Sequence, residues 1–312
     1  MIVTVTLNPS IDKTLTLKNL KVSGINRADS IQLDPGGKGV NVSRALSAMG
    51  VQTKAILVCG ELGREWMDHA LHTQGIEHEI ISSGDAVRSN LTIVHDGGDV
   101  TKINEQGSPL DELDLIAVRE SIKSTRGDWV VLAGRSNPGL PVTTYRDLAR
   151  YSKEMGAKVA VDTSGEELKH AIEAGAVDLI KPNNSELAEL VGRPLPTMHD
   201  VIDASREIIG KGVEKVLCSL GADGALLITA TSVTHCEPGA VVKGTPVGAG
   251  DILLGTFLGA GADEDALAVG VKWSAASVPL AGTAVPTIAQ AEAMPVKINR
   301  DVDAERQLVE VE

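Results

Sequence analysis

The sequence predicts an α/β fold, a mostly parallel sheet flanked by helices with a small inserted second sheet, and three observations carry that prediction. Short β-branched runs alternate along the chain with segments of helical period, the rhythm of strands joined through crossover helices. Aromatic residues are scarce, with three Trp, two Tyr and one Phe among 312 residues, so Val, Leu, Ile and Ala must fill the core, as in a sheet buried on both faces. Two stretches in the N-terminal third break the rhythm by polar–apolar alternation, the mark of strands with one wet face.

Taken in order, strands are expected at Ile2–Leu7, Lys54–Cys59, Trp129–Ala133, Lys158–Val161, Leu179–Ile180, Lys215–Ser219 and Ala225–Thr229. Helices are expected near 38–49, 64–74, 111–124, 142–155, 184–190 and 200–210. In the first of these, Val42, Ala45, Leu46 and Met49 recur at helical spacing and define one buried face. The alternating pieces are Thr14–Leu17 and Arg88–His95, the latter continuing through a Gly97-Gly98 turn to Val100–Ile103. They form a lid inserted from about 13–34 and 88–104 into one domain spanning 1–312, with an apolar face free to pair with a second subunit as a homodimer. The acidic Asp301–Glu312 reads as a last strand or a frayed end.

Composition narrows the function. A chain 43% hydrophobic and 23% charged has ample material for a large core. Its net charge of −13 and the lack of any Lys/Arg-rich run argue against a nucleic-acid partner. Cys59, Cys218 and Cys236 are far apart and form no metal or disulfide pattern. No basic-then-apolar leader and no bilayer-length run appears, so the expected location is cytoplasmic, with no membrane partner.

Four segments carry candidate chemistry. Gly248-Ala249-Gly250-Asp251 precedes an apolar helical stretch, where small residues admit a ligand and helix-start amides face an anion. There Asp251 is either a general base beside a phosphoryl group or a helix cap. Gly36-Gly37-Lys38-Gly39-Val40-Asn41 opens another helix and places Lys38 and Asn41 on one side of its first turn, as a ligand site or a solvated surface turn. In Lys181-Pro182-Asn183-Asn184-Ser185-Glu186, Asn183 and Glu186 either face a magnesium ion or close a capping box. Ser219-Leu220-Gly221-Ala222-Asp223-Gly224 is either a nucleotide-binding turn or a plain hairpin. His69 and His72 lack a third ligand nearby, and no Gly-x-Ser-x-Gly elbow occurs.

In this order, and together with Asn8-Pro9-Ser10-Ile11-Asp12, the segments resemble the PfkB-type carbohydrate kinases of the ribokinase-like family over nearly the whole chain, from Val3 to about Thr283. The resemblance implies a Rossmann-like core with a β-sheet lid, and ATP with Mg²⁺ as phosphoryl donor. It implies Asp251 as catalytic base with an anion hole at Gly248, Ala249 and Gly250. Asp12, Gly37, Lys38, Asn41 and Asn90 would bind the sugar, and Arg27 and Arg88 its existing phosphate. Lys181, Asn183, Ser219, Gly221, Asp223 and Gly224 would hold ATP, and Asn183 with Glu186 would organise Mg²⁺. The expected reaction is phosphorylation of a phosphosugar, first fructose 1-phosphate to fructose 1,6-bisphosphate, with tagatose 6-phosphate or fructose 6-phosphate as alternative acceptors.

A non-catalytic nucleotide- or sugar-sensing protein is the alternative of another class, and the retained Asp251 argues against it. Two departures from the family pattern stand out. Arg135 replaces the usual Ser in Gly134-Arg135-Ser136-Asn137-Pro138-Gly139, and Pro246 replaces a Ser/Thr before the anion-hole glycine, removing a hydroxyl and a backbone donor.

Overall fold

The computed structural model describes residues 1–95, 99–240, 242–244 and 247–309. The chain opens with β1 (Ile2–Thr6), leaves for the second sheet as β2 (Ser10–Thr16) and β3 (Ser30–Gly36), and returns through α1 (Lys38–Ala48), β4 (Thr53–Cys59), α2 (Arg64–Thr73) and β5 (Glu77–Ser82). A second excursion, β6 (Arg88–His95) and β7 (Asp99–Asn104), leads to α3 (Glu112–Thr125), β8 (Trp129–Ala133), α4 (Thr144–Glu154), β9 (Lys158–Asp162), α5 (Gly165–Glu173) and β10 (Leu179–Ile180). Then follow α6 (Asn184–Val191), α7 (Met198–Ile209), β11 (Lys215–Ser219), β12 (Ala225–Thr229), β13 (Val233–Pro238), α8 (Ala249–Gly259), α9 (Ala266–Ser277), α10 (Ile288–Glu292) and β14 (Val296–Asn299).

Among the described residues, ten strands form the main sheet in the order β14-β13-β12-β11-β10-β9-β8-β1-β4-β5. From β5 to β11 every pairing is parallel, and the last three strands continue antiparallel. Val3, Val5, Val130, Leu132, Val159 and Val161 face one way, into a core closed by α3 to α7. Ile2, Val131, Ala160, Leu179 and Leu217 face the other way, against α1, α8 and α9. Burial of alternate residues on opposite faces is what keeps these short strands in the middle of the sheet. β1 is flanked by β4 on one side and β8 on the other, so the order reverses there, and the carboxyl ends of the strands open a crevice at that point.

Helix α8 is buried nearly all round. Its Gly255 lets it approach α1 closely, because a Cβ there would stand 2.8 Å from the Val42 carbonyl oxygen. The contact sets the N-terminal turns of α1 and α8 side by side.

The second sheet has the order β3-β2-β6-β7, and its register separates two faces. Asp12 pairs with Asp34 and Asn90, which makes one face polar. Leu15 pairs with Ile31 and Ile93, and Leu91 with Ile103, which makes the other apolar. On that face Ile31 is 61%, Leu33 46% and Ile103 56% exposed.

The helices and main-sheet strands expected from sequence lie within about two residues of those found, the Thr14–Leu17 strand starts four residues earlier as β2, and β3, β5, α5, β13, α9, α10 and β14 went unread as elements. The expected strand beyond Asp301 is absent among the described residues, where the tail makes a single bridge, Gln307 to Thr197. Gly97-Gly98 lies outside the described residues. No described helix is long and apolar enough to cross a membrane.

Candidate active site

Gly248 starts α8 in the left-handed region, at φ 76°, and its carbonyl accepts from the amides of Asp251 and Ile252 at 3.1 and 3.0 Å. That turn leaves the amides of Ala249 and Gly250 without a carbonyl partner among the described residues, pointing out of the helix N-terminus where an anion is favoured. The Asp251 amide, by contrast, is tied back to Gly248. The Asp251 side chain caps nothing. Its buried carboxylate accepts from Asn41 Nδ2 of α1 at 2.8 Å. Burial, then the neighbouring Asp162, push its pKa up from 3.8 to about 6, against the pull of Lys38, Asn41 and Lys181.

Asp162, at the carboxyl end of β9, is fully buried and holds two lysines. Lys38 Nζ lies 2.8 Å from its Oδ1 and Lys181 Nζ 3.1 Å from its Oδ2. Burial would raise the Asp162 pKa, but Lys181 and Lys38 outweigh it and the net direction is down. Burial likewise opposes the charge on Lys38, and Asp162, Asp251 and Glu186 overcome it, leaving the pKa raised. Lys181 Nζ stands 3.2 Å from where a Cβ on Gly250 would sit, beside the first turn of α8. Two cations and two carboxylates thus share one buried cluster. Sequence reasoning missed Asp162, although a single Asp ending an apolar run was a usable signal for the mouth of a parallel sheet.

The polar face of the second sheet covers this cluster's neighbourhood. Asp12 Oδ1 accepts from Ser10 Oγ at 2.7 Å and Asn90 Nδ2 at 3.0 Å, and its carboxylate lies directly against Gly36. Burial raises its pKa, opposed by those hydrogen bonds and by Arg88. Asn90 Oδ1 is buried without a partner, an acceptor ready for a ligand hydroxyl. Arg88 donates from Nε to the Asn8 carbonyl at 3.2 Å and from Nη1 to the Glu105 carbonyl at 3.2 Å. It lines a small cavity with Asn8, Ser108 and Asn137. Gly37 caps α1, next to Lys38 and Asn41. Arg27 is not brought to this cluster, because it stands exposed on the connection between β2 and β3.

On the far side, the expected nucleotide and metal residues divide. Asn183 and Glu186 form a capping box on α6: Asn183 Oδ1 accepts from the Glu186 amide at 2.7 Å and Glu186 Oε2 from the Asn183 amide at 2.9 Å. The side-chain oxygen of Asn183 thus takes the capping role, one of the two that its spacing offered. Glu186 Oε1 still reaches within 3.8 Å of Lys38 Nζ. No group of three His, Cys, Asp or Glu able to hold a metal occurs among the described residues. Glu186 supplies a carboxylate oxygen of the kind a hydrated magnesium ion takes.

Ser219 bridges to Asn183 in parallel, which places the start of the 219–224 turn beside Lys181. Gly221–Asp223 form a single 3₁₀ turn within the β11–β12 hairpin. The carboxylate of Asp223, expected on the nucleotide side, faces the tail and accepts from Arg306 and the Val309 amide. Gly224 owes its place to packing, since a Cβ there would lie 2.0 Å from the Cys236 carbonyl oxygen. Arg135 is exposed just past β8, and Pro246 lies outside the described residues.

A family model for pfkB family carbohydrate kinases matches residues 5–290. The 1-phosphofructokinase of Bacillus subtilis (strain 168) is 36% identical over 262 residues, 83% of this chain and 84% of that protein. The ATP-dependent 6-phosphofructokinase isozyme 2 of Escherichia coli (strain K12) is 30% identical over 259 residues, 82% of this chain and 84% of its own length. The crystal structure of phosphofructokinase-2 from Escherichia coli in complex with potassium superposes with a TM-score of 0.88 at 28% identity, covering 93% of this chain and 96% of that one.

Proposed function

We propose, from the premise that this chain belongs to the pfkB family of carbohydrate kinases, that it is an ATP-dependent phosphosugar kinase acting on fructose 1-phosphate. The observation that carries the chemistry is the buried Asp251 carboxylate, held by Asn41 near two lysines and the amides of Ala249 and Gly250, which have no carbonyl partner among the described residues. The sugar's free primary hydroxyl oxygen attacks the γ-phosphorus of ATP while the bond to the bridging oxygen breaks, giving fructose 1,6-bisphosphate and ADP. Asp251 takes the hydroxyl proton as the new bond forms. The amides of Ala249 and Gly250, with Lys181 and Lys38, face the charge that spreads over the transferring group. Glu186, through water, would hold a magnesium ion, which would supply positive charge to the nucleotide phosphates.

On the sugar side, Asp12 and Asn90 Oδ1 accept hydrogen bonds from sugar hydroxyls, and Arg88 clamps the phosphate already present. Ser219 and the backbone of the following turn line the nucleotide side. We read residues 1–312 as one kinase domain with the second sheet as its inserted lid. The exposed apolar rows of Ile31, Leu33 and Ile103 suit a second copy of the chain, giving a homodimer through the lids. A consumer of ATP and a soluble phosphosugar would act in the cytoplasm.

Fructose 6-phosphate is the second reading, supported by the Escherichia coli relative. A panel of fructose 1-phosphate, fructose 6-phosphate and tagatose 6-phosphate, compared by kcat/KM in a coupled ADP-release assay, decides between them. Higher kcat/KM for fructose 6-phosphate would overturn the first assignment, and no ADP release with any of the three would sink the kinase reading.

A further inference from the structure

Residues 301–309 follow β14 without forming a strand, yet they are fastened along their length. The amides of Met198 and His199 donate to the carbonyls of Arg306 and Ala304 at 3.0 and 2.9 Å, and the Leu308 amide donates to the Pro196 carbonyl at 2.9 Å. The tail therefore lies as a strap across the start of α7. Two of its donors then converge on one carboxylate: Arg306 Nη2 and the Val309 amide both donate to Asp223, the latter at 2.8 Å. Arg306 Nη1 donates to Glu237 on β13, which fixes the plane of the guanidinium.

The other side of Asp223 is held as well. His235 Nε2 donates to the Asp223 carbonyl at 2.7 Å, and His235 Nδ1 accepts from Asn299 Nδ2 at 3.3 Å. Asp223 is the last residue of the 3₁₀ turn, and its side chain is only 5% exposed against 32% for Arg306. Without Arg306 a buried carboxylate loses its counter-charge, and its simplest relief is to swing toward water. The backbone of the turn must follow, because glycines at both ends, Gly221 at φ 59° and Gly224 at φ 83°, leave it little stiffness of its own. The opposite end of the segment is fixed by Ser219, whose amide donates to Pro182 at 3.0 Å.

We propose that the C-terminal strap positions the 219–224 turn for ATP, with Arg306 and the Val309 amide as the positioning groups. The proposal rests on the reading that this turn faces the nucleotide. It assigns a role in nucleotide affinity to residues beyond 290, where the family match ends.

The experiment uses the full-length protein carrying Arg306→Ala, Arg306→Lys or Val309→Pro. Arg306→Ala should raise KM for ATP roughly tenfold, the effect of about 1.4 kcal/mol, and leave KM for the phosphosugar within about twofold. Arg306→Lys keeps the charge without the fork and should fall between Ala and the parent. Val309→Pro removes one donor to Asp223 from an exposed position, so it keeps the test open if Arg306→Ala does not fold. It should shift KM for ATP in the same direction by a smaller factor. An unchanged KM for ATP in the folded variants, or equal rises for both substrates, overturns the proposal.

Hydrogen exchange separates that failure from a failure of the underlying reading. A non-hydrolysable ATP analogue should slow exchange across 219–225 in the unmodified protein. If it does not, the turn is not on the nucleotide side and the strap's proposed role falls with it. If it does and KM for ATP is still unmoved, the strap alone is refuted.

Discussion

Replacing Asp251 by Asn should remove catalysis and at the same time make the folded protein more stable at neutral pH. Asn has the same shape, and its side-chain oxygen can still accept from Asn41 Nδ2, which Asp251 does at 2.8 Å. It cannot take a proton from the sugar hydroxyl, so kcat should fall by roughly 10²–10⁴-fold, the usual contribution of a general base. The stability change follows from the raised pKa. Between the unfolded value of 3.8 and the folded value of about 6, the native protein holds a proton that the unfolded chain has released. Stability therefore falls as pH rises through that interval, and above about 6 the ionised carboxylate costs roughly 3 kcal/mol relative to its neutral form.

Asn mimics the neutral form, so Asp251→Asn should gain most of that amount at pH 7 to 8 and almost nothing at pH 4. Denaturant unfolding at both pH values measures it. The parent enzyme's kcat/KM should lose activity tenfold per pH unit below about 6, as the base becomes protonated. Near-parental kcat in Asp251→Asn, or a loss of stability at pH 8, would refute the reasoning and return Asp251 to a structural role.

Further outcomes follow from the same geometry. Asp162→Asn leaves Lys38 and Lys181 without their shared buried partner, so stability should drop by about 3–5 kcal/mol. The acid limb of kcat/KM should also move to lower pH, because Asp162 is what pushes Asp251 upward after burial; an unmoved limb contradicts the coupling. Arg88→Ala should raise KM for the phosphosugar about 10–100-fold and spare KM for ATP, and equal effects on both would remove Arg88 from the phosphate site. Ile31→Asp with Leu33→Asp places charge on the exposed apolar rows of the lid and should convert a dimer to monomers in sedimentation; a parent already monomeric would end the dimer reading.

The sheet was legible where strands are buried on both sides. β8, β10, β11 and β12 occupy the residues expected for them, because a continuous apolar run bounded by polar residues has few alternatives. β5 was missed because it is an edge strand of mixed polarity, Glu77–Ser82, with no run to detect. α5 begins at Gly165 and carries two glutamates in its first turn, which mimics a loop. In the site, local motifs revealed the helix starts that hold Lys38, Asn41, Glu186 and Asp251, but not which atoms meet. The Asn183–Glu186 capping box and the Asp223–Arg306 pair show why: both readings fit the sequence, and only the partner's position decides. The end of an apolar run was a usable mark for Asp162, but its pairing with Lys38, 124 residues away, was illegible for the same reason.

The arrangement of charges explains how one cleft keeps two carboxylates in different states. Asp162 engages both lysines directly and is driven toward the ionised form. Asp251 has only the neutral Asn41 amide in contact, and it feels the lysines through a carboxylate that already neutralises much of their charge. Burial acts on both groups in the same direction, so the lysine contacts are what separate them. A carboxylate near 6 is mostly ionised at neutral pH yet more basic than a surface Asp, which is the compromise a proton acceptor needs. On the proposed mechanism the two lysines stand near the start of α8, where an incoming phosphate would meet them together with the amides of Ala249 and Gly250. On that mechanism Asp162 would serve two ends at once, holding the cations for the phosphoryl group and leaving the proposed base without direct contact to them.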